Sequence, residues 1–169
     1  DLQAAGAGEA LRGEILIDWG RTNEAVEVLE AAAAAFPESG TGEVRATLLA
    51  SLSRALMRTG RPAEGVVKAD LALDLAEHLG LDRIIAETFN NKGSALGYLG
   101  VTLQALARPA EAERCLAENV AICRKLVGGE KLGEPGNILA TALGNHGEVL
   151  RTLGQLAEAE ACQRENVAI

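Results

Sequence analysis

Gly154-Gln155-Leu156-Ala157-Glu158-Ala159-Glu160-Ala161-Cys162-Gln163-Arg164-Glu165-Asn166-Val167-Ala168-Ile169 repeats a pattern already present at 107–122, Ala-Arg-Pro-Ala-Glu-Ala-Glu-Arg-Cys-Leu-Ala-Glu-Asn-Val-Ala-Ile. Ten of the 16 aligned positions are identical. Weaker copies begin at Gly60 (Gly-Arg-Pro-Ala-Glu-Gly) and at Gly20 (Gly-Arg-Thr-Asn-Glu-Ala), so the four starts are spaced by 40, 47 and 47 residues. A period of this size points to stacked copies of one supersecondary unit.

Each unit reads as two helices joined by a short turn. Residues 3–19 carry Leu11, Ile15, Leu16 and Trp19 on one face, and Gly20-Arg21-Thr22-Asn23 turns the chain. The next helix holds Ala25, Val26, Val28, Leu29, Ala32 and Ala33 and stops before Pro37. Helices 42–59 and 62–79 repeat the plan around Gly60-Arg61-Pro62, with Pro62 at a helix start where a missing N–H costs nothing. The third unit begins with an unusually long pattern, 82–107, followed by 109–127. Two registers compete in it, with Gly93 or Gly100 at the packing position. One long helix is the favoured reading, and a break at 97–100 the alternative. A loop at 128–136 leads to helices 137–153 and 156–169.

Turns of about three residues force the paired helices antiparallel. One such hairpin cannot bury its apolar stripe alone, so hairpins must stack. Gly13 and Gly147, with Gly93 or Gly100, lie seven residues before the turn position of their units. A mid-helix glycine costs roughly 1 kcal/mol against alanine, so its recurrence implies close helix contact there. Ala25, Ala112 and Ala159 recur five residues after the turn position, and Gly65 takes that place in the second unit. These are the expected hairpin crossings.

At these residues the chain resembles the tetratricopeptide repeat (TPR) family. Gly13, Leu16, Ala25, Leu29, Ala32 and Pro37 stand at the family's spacings, as do Leu143, Gly147, Leu150, Gly154 and Ala159. The long period is similar to the variants in kinesin light chains, Leu-Gly-Asn repeat adaptors and bacterial multidomain signalling proteins. Thr88-Phe89-Asn90-Asn91-Lys92-Gly93 and Ala142-Leu143-Gly144-Asn145-His146-Gly147 are similar to the first-helix motifs of those variants. The family's aromatics are nearly all replaced by leucine. The resemblance implies an all-α fold: an α-α superhelix, a TPR-like solenoid of four helical hairpins and eight helices. It implies one repeat domain over 1–169, with repeats at about 3–39, 42–80, 82–127 and 137–169, read as a piece of a longer chain.

Composition narrows the function. Hydrophobic residues make up 48% of the chain but aromatics only 2%, so alanine and leucine form an interior suited to helix packing. The net charge of −8 argues against nucleic acid as a partner. Residues 1–45 hold nine acids and three bases, a net −6, leaving −2 for the rest; a basic partner could dock there. Three cysteines, Cys115, Cys123 and Cys162, fit buried small hydrophobes in a reducing compartment, hence the expectation of a cytoplasmic protein. No apolar run reaches the ~20 residues of a membrane span.

No catalytic constellation emerges. His78 and His146 have no Cys or Asp at zinc spacing, so neither metal nor cofactor is expected. Gly6-Ala7-Gly8-Glu9-Ala10-Leu11 lacks the third glycine of a dinucleotide fingerprint, and Gly93-Ser94-Ala95-Leu96-Gly97 has the wrong spacing for a nucleophile elbow. A deep polar pocket at His146, or a bound metal, would be needed to support an enzyme. What remains is surface. By resemblance, an extended peptide lies along the concave, first-helix face, at Arg54, Arg58, Asn90, Asn91, Ser94, Tyr98, Asn145, Glu148 and Arg151. Asparagine amides can bond a peptide backbone and arginine can clamp a carboxylate. The expectation is a non-enzymatic interaction scaffold for a protein or peptide partner. The alternative is a regulatory or oligomerisation segment of a bacterial signalling enzyme or transcription regulator. Val167 and Ile169, with Leu150 and Leu153, are expected to leave an apolar C-terminal end able to self-associate.

Overall fold

The structure, a computed structural model, describes residues 2–36, 42–127 and 135–168. Secondary structure among these residues is helical: α1 (Leu2–Asp18), α2 (Thr22–Ala35), α3 (Gly42–Arg58), α4 (Pro62–Leu79), α5 (Asp82–Ala105), α6 (Pro109–Val127), α7 (Pro135–Thr152) and α8 (Leu156–Val167). The expected all-α class and the eight helices hold. So does the long helix, since α5 is unbroken through Gly97 and Gly100. Residues 37–41, which follow the expected stop of the second helix, most of the expected loop 128–136, and Ile169 lie outside the described residues. α7 begins at Pro135, two residues before its expected start, because proline is well suited to a first helical position.

The turns explain the repeated glycines. Gly20, Gly60 and Gly154 adopt φ of 76°, 79° and 76°, a left-handed conformation that is easy only for glycine. The residue after each donates its backbone N–H five residues back, as Arg21 does to Leu16 at 2.8 Å, Arg61 to Leu56 at 2.9 Å and Gln155 to Leu150 at 2.9 Å. Ala107 makes the same turn at φ 56°, with Arg108 bonded to Leu103 at 2.9 Å. The third turn thus holds an alanine where the other three have glycine.

The helices gather into two compact units, 1–95 and 96–169. In the first unit α2 packs on α1 and α3, and α3 on α4. Its core runs through Ile17, Leu29, Leu48, Leu52 and Leu56, with Ala46, Ala76 and Ile84 forming a second cluster. Arg45 of α3 donates to the carbonyl oxygens of Phe36 and, at 3.2 Å, Ala33, satisfying the open end of α2. In the second unit α7 packs on α6 and α8. Leu103, Ala112, Leu116 and Val149 form one cluster, and Val120, Leu139, Leu143, Leu150 and Cys162 belong to another. Leu150 is therefore buried, which corrects its expected place on the open C-terminal surface. Leu153 and Val167 are exposed there as expected, joined by Leu156.

The register of α5 follows from its glycines. A Cβ on Gly100 would stand 2.5 Å from Cγ of Leu116, as one on Gly13 would stand 2.6 Å from Cγ of Leu29. Gly100 is thus equivalent to Gly13. The Asn of the repeated Glu-Asn-Val-Ala-Ile run is explained as well. Asn119 places its amide nitrogen 2.9 Å from a Cβ position on Gly97, and Asn166 places its own 3.9 Å from one on Gly144. Each pair is offset by 47 residues from the other.

Candidate functional site

The nine residues expected to face a peptide fall on α3, α5 and α7, in both units. In the first unit, Arg54 donates to Glu14 Oε2 at 3.3 Å and to Asp18 Oδ1 at 3.0 Å, while Ser51 donates to Glu14 Oε1 at 2.8 Å. Two acids of α1 are thus matched to α3, and the charge of Arg54 is already answered within the fold. Asn91 is engaged too, its Nδ2 donating to the Ala50 carbonyl of α3 at 3.1 Å. Arg58 is exposed and forms no ion pair among the described residues. Asn90 and Ser94 are half-buried on the same helix as Asn91.

In the second unit, Tyr98 is 63% exposed and Asn145 half-buried. Neither side chain has a hydrogen-bond partner among the described residues. They occupy the same repeat position, each two residues before its packing glycine, Gly100 or Gly147. Arg151 and Glu148 pair with each other at 2.7 Å on the exposed face of α7. An exposed pair of this kind contributes little, typically about 0–1 kcal/mol, and exchanges readily with an incoming charge.

One contact had no signal in the sequence. His146 Nε2 lies 3.4 Å from Glu113 Oε1, and its Nδ1 lies 3.7 Å from Cys162 Sγ. Glu, His and Cys in sequence suggest a nucleophile with its base, but the environment opposes that chemistry. Burial pushes the Cys162 thiol up, outweighing the opposing influence of Arg124, and so disfavours the thiolate. The three groups join α6, α7 and α8 instead. Cys115 and Cys123 are also pushed up by burial. Beside them, Arg124 donates to Glu165 at 2.9 and 2.5 Å, and this hydrogen bonding holds the Glu165 carboxyl below its usual value. Among the described residues no three His, Cys, Asp or Glu side chains are placed to hold a metal ion, and no helix is long and apolar enough to cross a membrane.

A further ion pair recurs at the turns. Arg21, Arg61 and Arg108 make two hydrogen bonds each to Glu24, Glu64 and Glu111, three residues on. The fourth turn has Gln155 in the arginine's place.

Two family models, both described as tetratricopeptide repeat, match the chain: one at residues 93–131 and 139–169, the other at 10–39. Together they span more than half of it. The chain belongs to the tetratricopeptide repeat family. The TPR segment is similar to solved structures at low identity. BtubC (BKLC) from P. vanneervenii is 17% identical over 99% of this chain and 80% of that one, with a TM-score of 0.45. Two crystal structures of a Podosopora anserina protein, described as a kinesin light chain with nearly identical TPR-like repeats, follow. The first, a point variant, is 15% identical over 99% of this chain and 95% of that one, TM-score 0.43. The second is 16% identical over 96% and 93%, TM-score 0.40. No curated protein matches the chain. A TPR array is in general a scaffold for protein–protein interaction, and the family match supports that class for this segment.

Proposed function

We propose that this TPR segment binds an extended peptide of a partner protein, carrying at least one carboxylate, on the first-helix face of its second unit. The observation that supports this reading is the pair Tyr98 and Asn145. They stand at equivalent positions of successive repeats, and their side-chain polar groups are unspent among the described residues. An asparagine amide offers a donor and an acceptor to a peptide backbone, and a tyrosine adds apolar area with a polar tip. Arg151 takes the peptide carboxylate in exchange for Glu148. In the first unit, the side chains of Arg58 and Asn90 likewise have no hydrogen-bond partner among the described residues. Arg54 and Asn91, both expected to contact the peptide, instead brace the helices in this reading.

The test begins with peptides selected from a random library displayed on phage. Their affinities are compared for the wild type, Tyr98→Ala, Asn145→Ala and Arg151→Ala, with Arg114→Ala on the exposed surface of α6 as control. Each charge-assisted bond contributes about 1.5–3 kcal/mol, so Arg151→Ala is expected to weaken binding at least tenfold. The control is expected to change nothing. Equal affinity for all five proteins would refute the reading.

A further inference from the structure

Glu14 and Asp18 of α1 stand at the same two repeat positions as Arg54 and Arg58 of α3. The later first helices carry Val101 and Ala105, then Glu148 and Thr152, so only α1 and α3 bring opposite charges to both positions. α1 packs on α3, yet the two arginines are used unequally. Arg54 takes both acids, Glu14 Oε2 at 3.3 Å and Asp18 Oδ1 at 3.0 Å, while Arg58 is exposed and forms no ion pair among the described residues. The other oxygen of Glu14 accepts from Ser51 at 2.8 Å. Ser51 shares its repeat position with Tyr98 and Asn145, whose side chains have no such partner among the described residues.

Glu14 therefore does on the first unit what a peptide carboxylate would do. One of its oxygens accepts from a guanidinium and the other from a hydroxyl, which is what an Arg–Ser pair offers to any carboxylate. The groups around it are placed for a peptide. Arg58 follows Arg54 by one helical turn. The bond from Asn91 to the Ala50 carbonyl, at 3.1 Å, sets α5 against α3 one turn before Arg54, and the half-buried Asn90 is its neighbour. The contacts that fill Arg54 are partly open to water: the side chains of Arg54, Glu14 and Asp18 are 28%, 42% and 65% exposed. Ion pairs of this kind hold helices together only weakly, and exchanging them leaves the apolar core in place.

We propose that the first unit carries a second site for an extended acidic peptide, and that α1 keeps it closed. Glu14 and Asp18 occupy Arg54 and Ser51 in place of a peptide carboxylate. With both acids charged, an incoming carboxylate finds only Arg58 and is repelled by its two neighbours on α1. With both neutral, Arg54 loses its counter-charges and joins Arg58 as a pair of cations one turn apart, with Asn90 beside them for the peptide backbone. The wild-type chain then takes acidic peptide on its second unit alone, and the first unit is a reserve that opens when the acids are discharged.

The inference takes its kind of ligand from the second-unit reading, so it is tested on chains that carry Arg151→Ala and have that face disabled. Peptides are selected by phage display against Glu14→Gln/Asp18→Asn/Arg151→Ala. The tightest is synthesised with a fluorophore, once as selected and once with its acids replaced by amides. Fluorescence anisotropy is expected to show saturable binding of the acidic form, weakened at least about tenfold when Glu14 and Asp18 are restored. Arg54→Ala in the open chain is expected to cost as much, and so is the amide form of the peptide. Circular dichroism and urea midpoints confirm that each variant is folded. Should the double change loosen α1, Asp18→Asn alone, at an exposed side chain, is expected to give an intermediate affinity. Equal affinity with and without the two acids overturns the proposal. So does undiminished binding after Arg54→Ala or to the amide peptide, or a selection that yields no acid-dependent binder. Unaltered affinity of Arg151→Ala for peptides selected on the wild type would instead count against the second-unit reading alone.

Discussion

The main-chain carbonyl oxygen of Ser53 lies 3.0 Å from where a Cβ on Gly65 would stand. In the first, third and fourth hairpins the glycine is on the first helix (Gly13, Gly100, Gly147) and the alanine twelve residues later on the second (Ala25, Ala112, Ala159). The second hairpin reverses the order, with serine on α3 and glycine on α4. Each crossing keeps one residue without a Cβ, and either helix can supply it.

The exchange leaves Ser53 with a buried Oγ that lacks a hydrogen-bond partner among the described residues. Ser53→Ala keeps the volume nearly constant and removes the orphan hydroxyl, so it should stabilise the chain by about 1 kcal/mol. Ala112, fully buried at the third crossing, gives the opposite outcome. Ala112→Leu should destabilise by about 1–3 kcal/mol through overpacking. Urea unfolding of both variants measures the two signs. Loss of stability in the first, or none in the second, would contradict this packing.

Ala107 carries the left-handed turn that glycine makes elsewhere. An L-residue pays roughly 1–2 kcal/mol in that conformation, partly offset by the greater unfolded-state freedom of glycine. Ala107→Gly is therefore expected to stabilise by about 0.5–1 kcal/mol, and Gly154→Ala to destabilise by about 1 kcal/mol. Thermal melts of the two variants provide the check.

Arg45 closes the end of α2 from the neighbouring helix. Arg45→Met keeps much of the stem but leaves the carbonyls of Ala33 and Phe36 without this donor. The expected loss is about 1–2 kcal/mol, read as a lower urea midpoint. A conservative Arg45→Lys should recover part of it.

Glu165 has its carboxyl held below the ordinary value of 4.5, chiefly by the hydrogen bonds from Arg124. Its contribution is therefore present above about pH 4.5 and is lost as pH falls through the lower folded-state value. The stability difference between wild type and Glu165→Gln should be largest near neutrality and shrink on acidification. Comparing urea midpoints at several pH values tests that direction; a difference that grew as pH fell would contradict it.

The eight helices were legible because the repeat supplied the same signals four times: a turn residue, a proline or polar start, and small residues at fixed offsets. α5 was ambiguous because its two registers differ by seven residues, about two turns, which presents nearly the same face. Only the fit of Gly100 against Leu116 separated them. The surface was less legible. Glu14 and Arg54 stand at the same position of successive repeats with opposite charge, and that spacing could have revealed their ion pair. Nothing comparable marked Asn91, whose bond to Ala50 depends on the α5 register. The Glu113–His146–Cys162 contact joins three helices whose relative rotation no local pattern encodes.

The most direct measurement of the proposed function is an NMR titration of the chain with a selected acidic peptide, observing backbone amides and asparagine side-chain amides. The account predicts that the Asn145 side-chain resonances and the backbone around Tyr98 and Arg151 shift together and saturate with one affinity, which falls as salt rises. Shifts confined to α6 and α8, with Asn145 and Tyr98 unmoved at saturation, would contradict it.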